Sequence, residues 1–483
     1  MTEWWRDAVI YQIYPRSFRD SNGDGVGDLP GIIEKLDYVA SLGVDGIWLS
    51  PFFPSPMHDF GYDVSEYRDV DPLFGSLADF DQLLGEAHAR GLRVVIDQIW
   101  SHTSHLHPWF AEKPEWYVWA DPKPDGTPPN NWLATFGGAA WTWDGRRQRY
   151  FFHNFLPQQP DLNLRDPALQ DEILAVARFW LDRGVDGFRL DVANCFMHHP
   201  ALPDQPPRPG GPFPAPQRYQ RHIYDRSHPD NLPFLARIRS ALDAYAGRVA
   251  IAEISDEDNL ARMIEYSAPG RLHAAYSFHF LRGPLDAAFV REAVEAFFVP
   301  PGASWPCWSF SNHDVTRVVS RWGPEDPALQ PTFAAMANAL LTSLPGTIFV
   351  YQGEELGLPH VAVPRERLVD PEATANWPRH RNRDGSRTPM PWRQADPDLG
   401  FGAEAAWLPF GPGHAALAVD RQEADPGSVL NQFRTHLRWR RSARLDPAIT
   451  FADAPPAALA FARGRHRFSF TLQPPYDWSI AEA

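Results

Sequence analysis

The stretches VVID at residues 94–97 and TIFVY at residues 347–351 decide the fold class. Both are short and nearly all apolar, which is typical of parallel strands that are buried on both faces of a sheet. Similar apolar runs that end in polar or Gly residues recur along the chain and predict eight strands. The predicted strands are residues 9–14, 46–49, 93–97, 187–191, 249–253, 274–278, 307–311 and 347–351.

Stretches with the apolar periodicity of helices lie between these strands. Gly91 and Gly184 follow basic last turns, which is a typical way for a helix to end. Eight strands that alternate with helices favour a (β/α)8 TIM barrel, of class α/β, over a doubly wound sheet. The clearest amphipathic stretches are residues 29–41, 76–90, 167–183, 232–245, 331–341 and 428–441.

Two long connections and a short tail modify the predicted barrel. Residues 103–167, between the third and fourth strands, are rich in Trp, Pro, Asn and Gly and predict an inserted subdomain. Residues 352–427 form a second irregular connection, and loops of that length are usually functional. The predicted barrel therefore comprises residues 1–102 and 168–441, and residues 442–483 form a short C-terminal β region.

Composition limits the classes of function. The chain has 483 residues, and its 45 Lys and Arg against 60 Asp and Glu leave a formal net charge of −15, so nucleic acid is not an expected partner. Cys195 and Cys307 are the only cysteines, which excludes a disulfide framework and a Cys-based zinc site. The sequence shows neither a signal peptide nor a membrane-spanning run. We therefore expect a cytoplasmic monomer or homodimer with no membrane partner.

Acidic residues mark the ends of four predicted strands. Asp97, Asp191 and Glu253 end their strands and Asp314 follows one closely, with His102 and His313 near them in sequence. Barrel enzymes carry their active sites at the carboxyl ends of the strands. A single Asp after a strand is usually a helix cap. Four carboxylates that converge on one rim indicate a catalytic site instead.

Seven motifs resemble, in order, those of the α-amylase family of glycoside hydrolases (family 13). The resemblance covers about residues 4–440, and three of the motifs resemble its α-glucosidase and oligo-1,6-glucosidase branch. The four strand-end motifs are VVIDQIWSH (94–102), GFRLD (187–191), AIAEI (250–254) and SNHD (311–314). The three branch motifs are WWRDAVIYQIYPRSF (4–18), QPDLN (159–163) and RDGSRTPMPW (383–392).

Residue by residue, the resemblance implies that Asp191 is the nucleophile, Glu253 the general acid/base and Asp314 the carboxylate that orients the substrate. Retaining hydrolysis needs an ionised carboxylate beside a protonated one, about 5–5.5 Å apart. Arg189 lies two residues before Asp191 on the same strand, so we expect its guanidinium to lower the pKa of Asp191. The apolar run before Glu253 should raise the pKa of that carboxyl group.

The same resemblance implies a closed pocket that releases one glucose at a time from the nonreducing end of the substrate. His102 and His313 would bind sugar hydroxyls. Asp59 and Arg387 would hold the terminal glucose, with Arg383 as the rival of Arg387. The other implied contacts are Tyr62 as an aromatic platform, Arg189 beside the nucleophile, and the pocket-wall residues Phe136 and Phe155.

The loop RDSNGDGVGD at residues 19–28 predicts a metal site. Oxygen ligands at every second position, separated by Gly, suit a hard cation such as Ca²⁺. The alternative is a solvated Asx-turn without metal. The resemblance implies a structural Ca²⁺ or Mg²⁺ here, and no organic cofactor is expected. The candidate ligands are the side chains of Asp20, Asn22, Asp24 and Asp28 and the carbonyl of Val26.

The resemblance favours an exo-acting α-glucosidase that hydrolyses small oligosaccharides through a covalent glucosyl-enzyme, with transglucosylation as a side reaction. Val192 resembles the residue of relatives that prefer α-1,6 linkages. One alternative is a sugar isomerase or a dedicated transglucosylase on the same site. Another is a noncatalytic carbohydrate-binding or scaffold protein, although such relatives lose the three carboxylates that Asp191, Glu253 and Asp314 supply here.

Overall fold

A computed structural model describes residues 3–213, 215–298, 302–378, 382–402 and 405–482. Its largest sheet has eight parallel strands in the order β10-β11-β1-β2-β3-β7-β8-β9. In chain order, the strands are β1 Val9–Ile13, β2 Gly46–Leu49, β3 Arg93–Gln98, β4 Trp119–Ala120, β5 Trp141–Asp144, β6 Arg149–Phe152, β7 Gly187–Leu190, β8 Val249–Ile254, β9 Ala274–Ser277, β10 Cys307–Ser309, β11 Thr347–Tyr351, β12 Thr450–Ala452, β13 Ala458–Arg463, β14 His466–Thr471 and β15 Trp478–Glu482.

The eight-stranded sheet curls into a barrel. A parallel bridge between Ala275 and Pro306 brings its two edge strands together. The predicted (β/α)8 barrel is therefore confirmed, and each predicted strand is present with ends that differ by no more than two residues. The largest difference is at residues 307–311, where the strand ends at Ser309 because the Ser309 hydroxyl donates to the carbonyl of Ser311 and starts a turn.

Helices connect the barrel strands. The predicted helix at residues 29–41 is wrong as one element, because Lys35, with φ −108° and ψ 6°, separates α1 from α2. The turn lets Leu29, Ile32 and Leu36 all reach the core. The helices are α1 Leu29–Glu34, α2 Leu36–Ser41, α3 Leu77–Ala89, α4 Pro108–Glu112, α5 Pro167–Asp182, α6 Asn231–Asp243, α7 Asn259–Tyr266, α8 Phe278–Arg282, α9 Ala287–Phe298, α10 Val318–Trp322, α11 Gln330–Ser343, α12 Pro371–Asn376, α13 Val419–Ala424 and α14 Val429–Ala443.

The connection between β3 and α5 holds a three-stranded antiparallel sheet in the order β4-β6-β5. It has a small apolar core that includes Val118, Trp132 and Trp141. The loop that follows β7 packs on this insertion, since Nε1 of Trp132 donates to the carbonyl of Pro203 at 2.7 Å. Insertion and loop together build a wall above the carboxyl ends of the barrel strands.

The C-terminal residues form a four-stranded antiparallel sheet in the order β12-β13-β14-β15. Arg463 on β13 is fully buried, and it donates to the carbonyls of Ser343 and Leu344 and to Asp7 at 3.0–3.2 Å. Asp7 and Leu344 precede β1 and β11, so the C-terminal sheet is fastened close to the amino-terminal face of the barrel. Among the helices of the described ranges, none has both the length and the apolar character that crossing a membrane requires.

Candidate active site

The carboxyl ends of β3, β7 and β8 and the loop after β10 bring Asp97, Asp191, Glu253 and Asp314 together. Asp191, Glu253 and Asp314 line a cleft of about 730 Å³ that opens to solvent. The other predicted site residues in its lining are Asp59, Tyr62, His102, Phe136 and Phe155, with Arg383. Val192, which the sequence linked to linkage preference, also lines the cleft. The remaining lining residues were not predicted as site residues, and they are Thr135, Cys195, Arg226, Ser255, Phe278, Arg282 and Glu372.

One fully buried guanidinium joins three of the four carboxylates. Nη1 of Arg189 lies 2.7 Å from Oδ1 of Asp97 and 2.6 Å from Oδ1 of Asp191. Its Nη2 lies 2.5 Å from Oε1 of Glu253. Asp191 and Glu253 are therefore held side by side at the floor of the cleft, within the reach of a single planar group.

The charges of this cluster do not balance, since three carboxylates share one cation. Burial raises the pKa of Asp191 well above its usual range, and the neighbouring carboxylates of Glu253 and Asp97 raise it further. Burial likewise raises the pKa of Asp97 to about 6. Arg189 does lower the pKa of Asp191, as expected, but desolvation outweighs this effect and the net shift is upward.

Glu253 has contacts that the sequence did not reveal. The hydroxyl of Tyr276, on β9, donates to its Oε1 at 2.8 Å, and Arg189 Nε donates to that hydroxyl at 3.1 Å. The backbone N–H of Val192 donates to Oε2 of Glu253 at 3.2 Å. Val192 itself adopts φ 34°, a left-handed conformation that a β-branched residue rarely takes. The position of Tyr276 in a predicted barrel strand was its signal in the sequence.

His313 and Tyr62 form a buried chain of hydrogen bonds to Asp97. Nε2 of Gln12 can only donate, so Nδ1 of His313, 2.8 Å away, accepts. Burial lowers the pKa of His313 to about 3, so the ring is neutral and carries its proton on Nε2. That nitrogen lies 2.5 Å from the Tyr62 hydroxyl, which in turn donates to Asp97 at 3.1 Å. Gln12 is a polar residue in an otherwise apolar strand, which was a recognisable sequence signal for a buried hydrogen-bond partner.

His102 lies on the other side of Tyr62. Its Nε2 is 3.2 Å from the carbonyl of Tyr62 and 3.2 Å from Nε2 of Gln159. Gln159 is the first residue of the QPDLN motif, and its side chain also donates to Oδ2 of Asp59 at 3.2 Å. Burial lowers the pKa of His102 to about 4, so this ring is neutral as well.

The structure pairs Asp59 with Arg383 and not with Arg387, which corrects the expected pair. Nη2 of Arg383 donates to Asp59 at 2.9 Å and to Asp370 at 2.9 Å. Arg383 lines the cleft, whereas Arg387 is fully buried beneath it. The path of the long segment after β11 decides which arginine of RNRDGSR faces the cleft. No local sequence pattern predicts that Asp370 contacts this arginine. Burial raises the pKa of Asp59 to about 6, although both arginines oppose that shift.

Arg387 supports the loop that carries Asp314. It donates from Nε to the carbonyl of His313 at 2.8 Å and from Nη2 to Oδ1 of Asp314 at 2.8 Å. Nη1 of Arg383 lies 3.2 Å from the same oxygen. Besides His313, these two guanidinium groups hold the pKa of Asp314 far below its usual range in spite of burial, so this carboxylate is ionised.

Phe136 and Phe155, from the inserted segment, lie together in the wall of the cleft. Their ring centroids are 5.3 Å apart, and the ring of Phe155 lies 5.3 Å from that of His102. The guanidinium carbon of Arg383 is 4.6 Å from the centroid of Phe136. The aromatic wall therefore meets the Asp59–Arg383 pair and narrows this end of the cleft.

The loop at residues 20–28 lies away from the cleft. Oδ1 of Asp20 accepts from the amides of Asn22 and Gly23, and Oδ2 accepts from Gly25. Asp28 accepts from Ser21 and caps α1 through Gly31. These all-oxygen donors suit a hard cation, but the described residues contain no group of three or more His, Cys, Asp or Glu side chains arranged around a metal. The metal site stays a prediction.

A parallel barrel with paired carboxylates at the floor of its cleft is an arrangement typical of glycoside hydrolases. A family model described as "Alpha amylase, catalytic domain" matches residues 12–446, most of the chain. The chain belongs to this alpha-amylase family and is an enzyme of that class.

Its relatives agree with this assignment. The chain is 49% identical over 481 residues to a probable alpha-glucosidase of Rhizobium meliloti (strain 1021), covering 95% of this chain and 87% of the relative. It is 35% identical to the oligo-1,6-glucosidase of Heyndrickxia coagulans, covering 92% and 86%. Among solved structures, an alpha-glucosyl transfer enzyme matches with a TM-score of 0.94 at 52% identity, covering 98% and 92%.

Proposed function

We propose that the protein is a retaining, exo-acting α-glucosidase that releases glucose from the nonreducing end of short α-linked oligosaccharides. The observation that supports this most is the placement of Asp191 and Glu253 on one guanidinium, at the floor of a cleft that Asp59 and Arg383 narrow. The similarity to a probable alpha-glucosidase and to an oligo-1,6-glucosidase favours α-linked glucose as the substrate.

Asp191 acts as the nucleophile in this proposal. One oxygen attacks the anomeric carbon and forms a glucosyl ester while the bond to the leaving oxygen breaks. Glu253 donates its proton to that leaving oxygen. It then takes a proton from water, whose oxygen displaces Asp191 and yields glucose with its original configuration. Glu253 gives up one proton in the first step and takes up one proton in the second, so it ends in its starting state.

The excess of carboxylates over cations accounts for the proton that the first step needs. Because burial and mutual repulsion oppose three negative charges around Arg189, the cluster takes up a proton more readily than isolated carboxyl groups would. We place this proton on Oε2 of Glu253, which receives the more distant Val192 amide at 3.2 Å, because Oε1 already faces the hydroxyl of Tyr276 and Nη2 of Arg189. Asp191, whose Oδ1 contacts Nη1 of Arg189, is the ionised carboxylate of the pair in this proposal.

Asp314 stays ionised and binds sugar hydroxyls as an acceptor of hydrogen bonds. Asp59 and Arg383 bind the far side of the same glucose, so that no further sugar unit fits beyond it. Tyr62 lies under the ring as an aromatic platform, and Phe136 and Phe155 exclude water from this end of the cleft. The Asp59–Arg383 end is what makes the enzyme exo-acting in this proposal.

Transfer of glucose to an alcohol in place of water is a second candidate activity. The specific observation in its favour is the match to an alpha-glucosyl transfer enzyme over 98% of this chain. Both activities use the same glucosyl-enzyme, and they differ in which nucleophile reaches it.

Product analysis tests the proposal. The full-length protein is incubated with maltose, isomaltose and trehalose, and the anomers of newly released glucose are followed by NMR before they equilibrate. We expect α-glucose as the first product from at least one of these disaccharides. The reducing units of maltose and isomaltose leave with the anomeric mixture that they already have, so only the glucose from the nonreducing unit reports the stereochemistry. Release of β-glucose beyond that mixture would contradict retention, and rearranged or longer saccharides without free glucose would show an isomerase or a dedicated transferase.

We also propose that the loop at residues 20–28 binds a structural Ca²⁺ or Mg²⁺ through Asp20, Asn22, Asp24, Asp28 and the Val26 carbonyl. The all-oxygen donor set supports this site. The cation would neutralise buried carboxylates, since Asp20 and Asp28 are almost fully inaccessible to solvent. Its role would be stability, because the loop lies away from the reacting carboxylates.

A further inference from the structure

A second cavity, of about 900 Å³, adjoins the sugar cleft. The two share Thr135, Arg226, Ser255, Arg282 and Glu372 in their linings. The outer wall comes from the loop after β7, which packs on the inserted subdomain. Ser255, two residues after Glu253, lines both spaces, whereas Asp59 and Arg383 line only the cleft. A leaving group or an acceptor that is bound next to Glu253 would extend into this cavity.

Most charged residues of this cavity already have partners. Arg208 forms an ion pair with Glu257, and Arg226 lies 3.2 Å from Asp225. Asp256 accepts from the Ser227 hydroxyl. These groups hold the wall together and leave little net charge behind.

Two arginines are different. Arg218, from the loop after β7, and Arg282, at the end of α8, line the cavity, and neither side chain has a hydrogen bond or ion pair within the described ranges. Even when the carboxylate of Glu372 in the same lining is counted, the two arginines leave an excess of positive charge, which contrasts with the net charge of −15 for the chain.

Arg282 is not a freely moving surface side chain. Its guanidinium carbon lies 4.0 Å from the centroid of the Phe278 ring, which fixes the group by a cation–π contact. The side chain is open to the water of the cavity, yet the surrounding protein desolvates it enough to lower its pKa. The carboxylate of Glu372, in the same lining, acts on this pKa in the opposite direction, but no hydrogen bond or ion pair joins it to Arg282 within the described ranges. A cation held in this way can still bind an anion from outside.

We infer that the second cavity binds an anionic group, a phosphate ester or a carboxylate, carried by the leaving group or acceptor of the glucosyl transfer. The inference rests on the proposed α-glucosidase activity and adds the chemistry of the second half of the substrate. Arg282 and Arg218 would bind the anion from two walls of the cavity. Neutral disaccharides would still react, but without this contact.

The test compares kcat/KM for three substrates: maltose, maltose with a phosphate on C6 of its reducing glucose, and the analogue whose reducing unit is glucuronic acid. We expect at least one anionic substrate to exceed maltose about tenfold at low ionic strength, because charge-assisted hydrogen bonds are among the strongest polar contacts. Added salt should reduce this ratio. The phosphate and carboxylate arms identify which anion the cavity prefers.

The variants Arg282→Gln and Arg218→Gln should bring the ratio of anionic to neutral substrate down toward one, and Arg282→Lys should keep part of it. Arg221→Gln is the matched control, because Arg221 belongs to the same loop but does not line the cavity. It should keep the full ratio.

Equal kcat/KM for all three substrates, or a preference that survives in the double variant of Arg218 and Arg282, would overturn the inference. Hydrolysis of maltose without any preference for anions would leave the proposed α-glucosidase intact. Absence of glucose release from all substrates by a folded protein would instead contradict the proposed function itself.

Discussion

Arg383 donates a 2.9 Å hydrogen bond to Asp59 across 324 residues of sequence. Asp59 belongs to the segment between β2 and β3, and Arg383 to the long segment after β11. Their contact ties these two segments together at the narrow end of the cleft. The same arginine reaches Asp370 and Asp314, so one guanidinium connects the end of the pocket to the ionised carboxylate.

We predict that Arg383→Gln lowers kcat/KM for maltose by about 10- to 100-fold. This corresponds to about 1.5–3 kcal/mol, the usual contribution of a hydrogen bond to a charged group. Asp59→Asn should have a similar effect. The double variant should be less impaired than the sum of both effects, because each single change already breaks the shared contact. Additive losses in such a double-mutant cycle would show that the two residues act separately.

Arg387→Gln should behave differently from Arg383→Gln. Arg387 is fully buried and holds the carbonyl of His313, so its loss should reduce the melting temperature as well as kcat. Thermal unfolding of both variants, measured beside maltose kinetics, distinguishes a pocket residue from a supporting one. Equal thermal losses in both variants would remove that distinction.

Glu253→Gln should separate the two halves of the reaction. Maltose needs protonation of its leaving oxygen, so its hydrolysis should fall by orders of magnitude. Glucosyl fluoride needs no such help, so the glucosyl-enzyme should still form and accumulate. Added azide needs no general base and should restore turnover, with an α-configured glucosyl azide as product. Normal maltose hydrolysis by this variant would disprove the role of Glu253.

Asp191→Asn is the matched control for that experiment. The amide cannot form the glucosyl ester, so neither glucosyl fluoride nor azide should support turnover by the retaining route. Mass spectrometry should detect a covalent glucosyl adduct in Glu253→Gln and none in Asp191→Asn. A β-configured azide product from either variant would indicate direct displacement.

Removal of divalent cations should lower the melting temperature. A ligand bound only by the folded protein stabilises it by mass action, so chelation withdraws that contribution. Asp20→Ala should melt at the same temperature with and without chelator. Elemental analysis of the untreated protein checks the cation directly. An unchanged melting temperature in metal-free protein would contradict the metal site and favour the Asx-turn interpretation.

Two buried groups outside the lining of the sugar cleft should give stability changes of opposite pH dependence. Burial lowers the pKa of His436 to about 3 and raises that of Glu354 to about 8. The unfolded chain binds a proton at His436 as the pH falls below 6.5, so this histidine destabilises the folded wild type in acid. The unfolded chain releases the Glu354 proton above pH 4.5, so this acid destabilises the folded wild type as the pH rises toward 8.

His436→Leu should therefore gain stability relative to wild type on going from pH 7.5 to pH 5, by about 2 kcal/mol. Glu354→Gln should gain on going from pH 5 to pH 8, by about 4 kcal/mol. Denaturant unfolding at the three pH values measures both. If the stability of both variants relative to wild type changed in the same direction with pH, at least one of the two pKa assignments would be incorrect.

The barrel could be predicted from the sequence because its strands are buried on both faces and read as nearly apolar runs. The carboxylates could be located because each follows such a run. The partner of Asp59 could not be predicted, because Arg383 and Arg387 in RNRDGSR are equally good candidates when the conformation of the loop is unknown. Lys35 shows the same limit, because the periodicity of residues 29–41 continues through the point where the helix breaks.

The pKa of Asp191 illustrates a different limit. Sequence spacing places Arg189 beside Asp191, but it does not show that Asp97 and Glu253 contact the same guanidinium. Arg189 alone would lower the pKa of Asp191, whereas burial raises it most and the neighbouring carboxylates raise it further. Both causes depend on how the separate strands pack together, which the sequence does not show.

The contact between Asp7 and Arg463 has a practical consequence for handling the enzyme. It holds the C-terminal sheet at the end of the barrel away from the cleft, and Arg465 on that sheet is two-thirds exposed. A cysteine introduced at position 465 would offer by far the most accessible thiol, because Cys307 is buried and Cys195, in the lining of the cleft, is only 5% exposed. Protein coupled to a solid support through that thiol would turn its cleft toward the flowing solution.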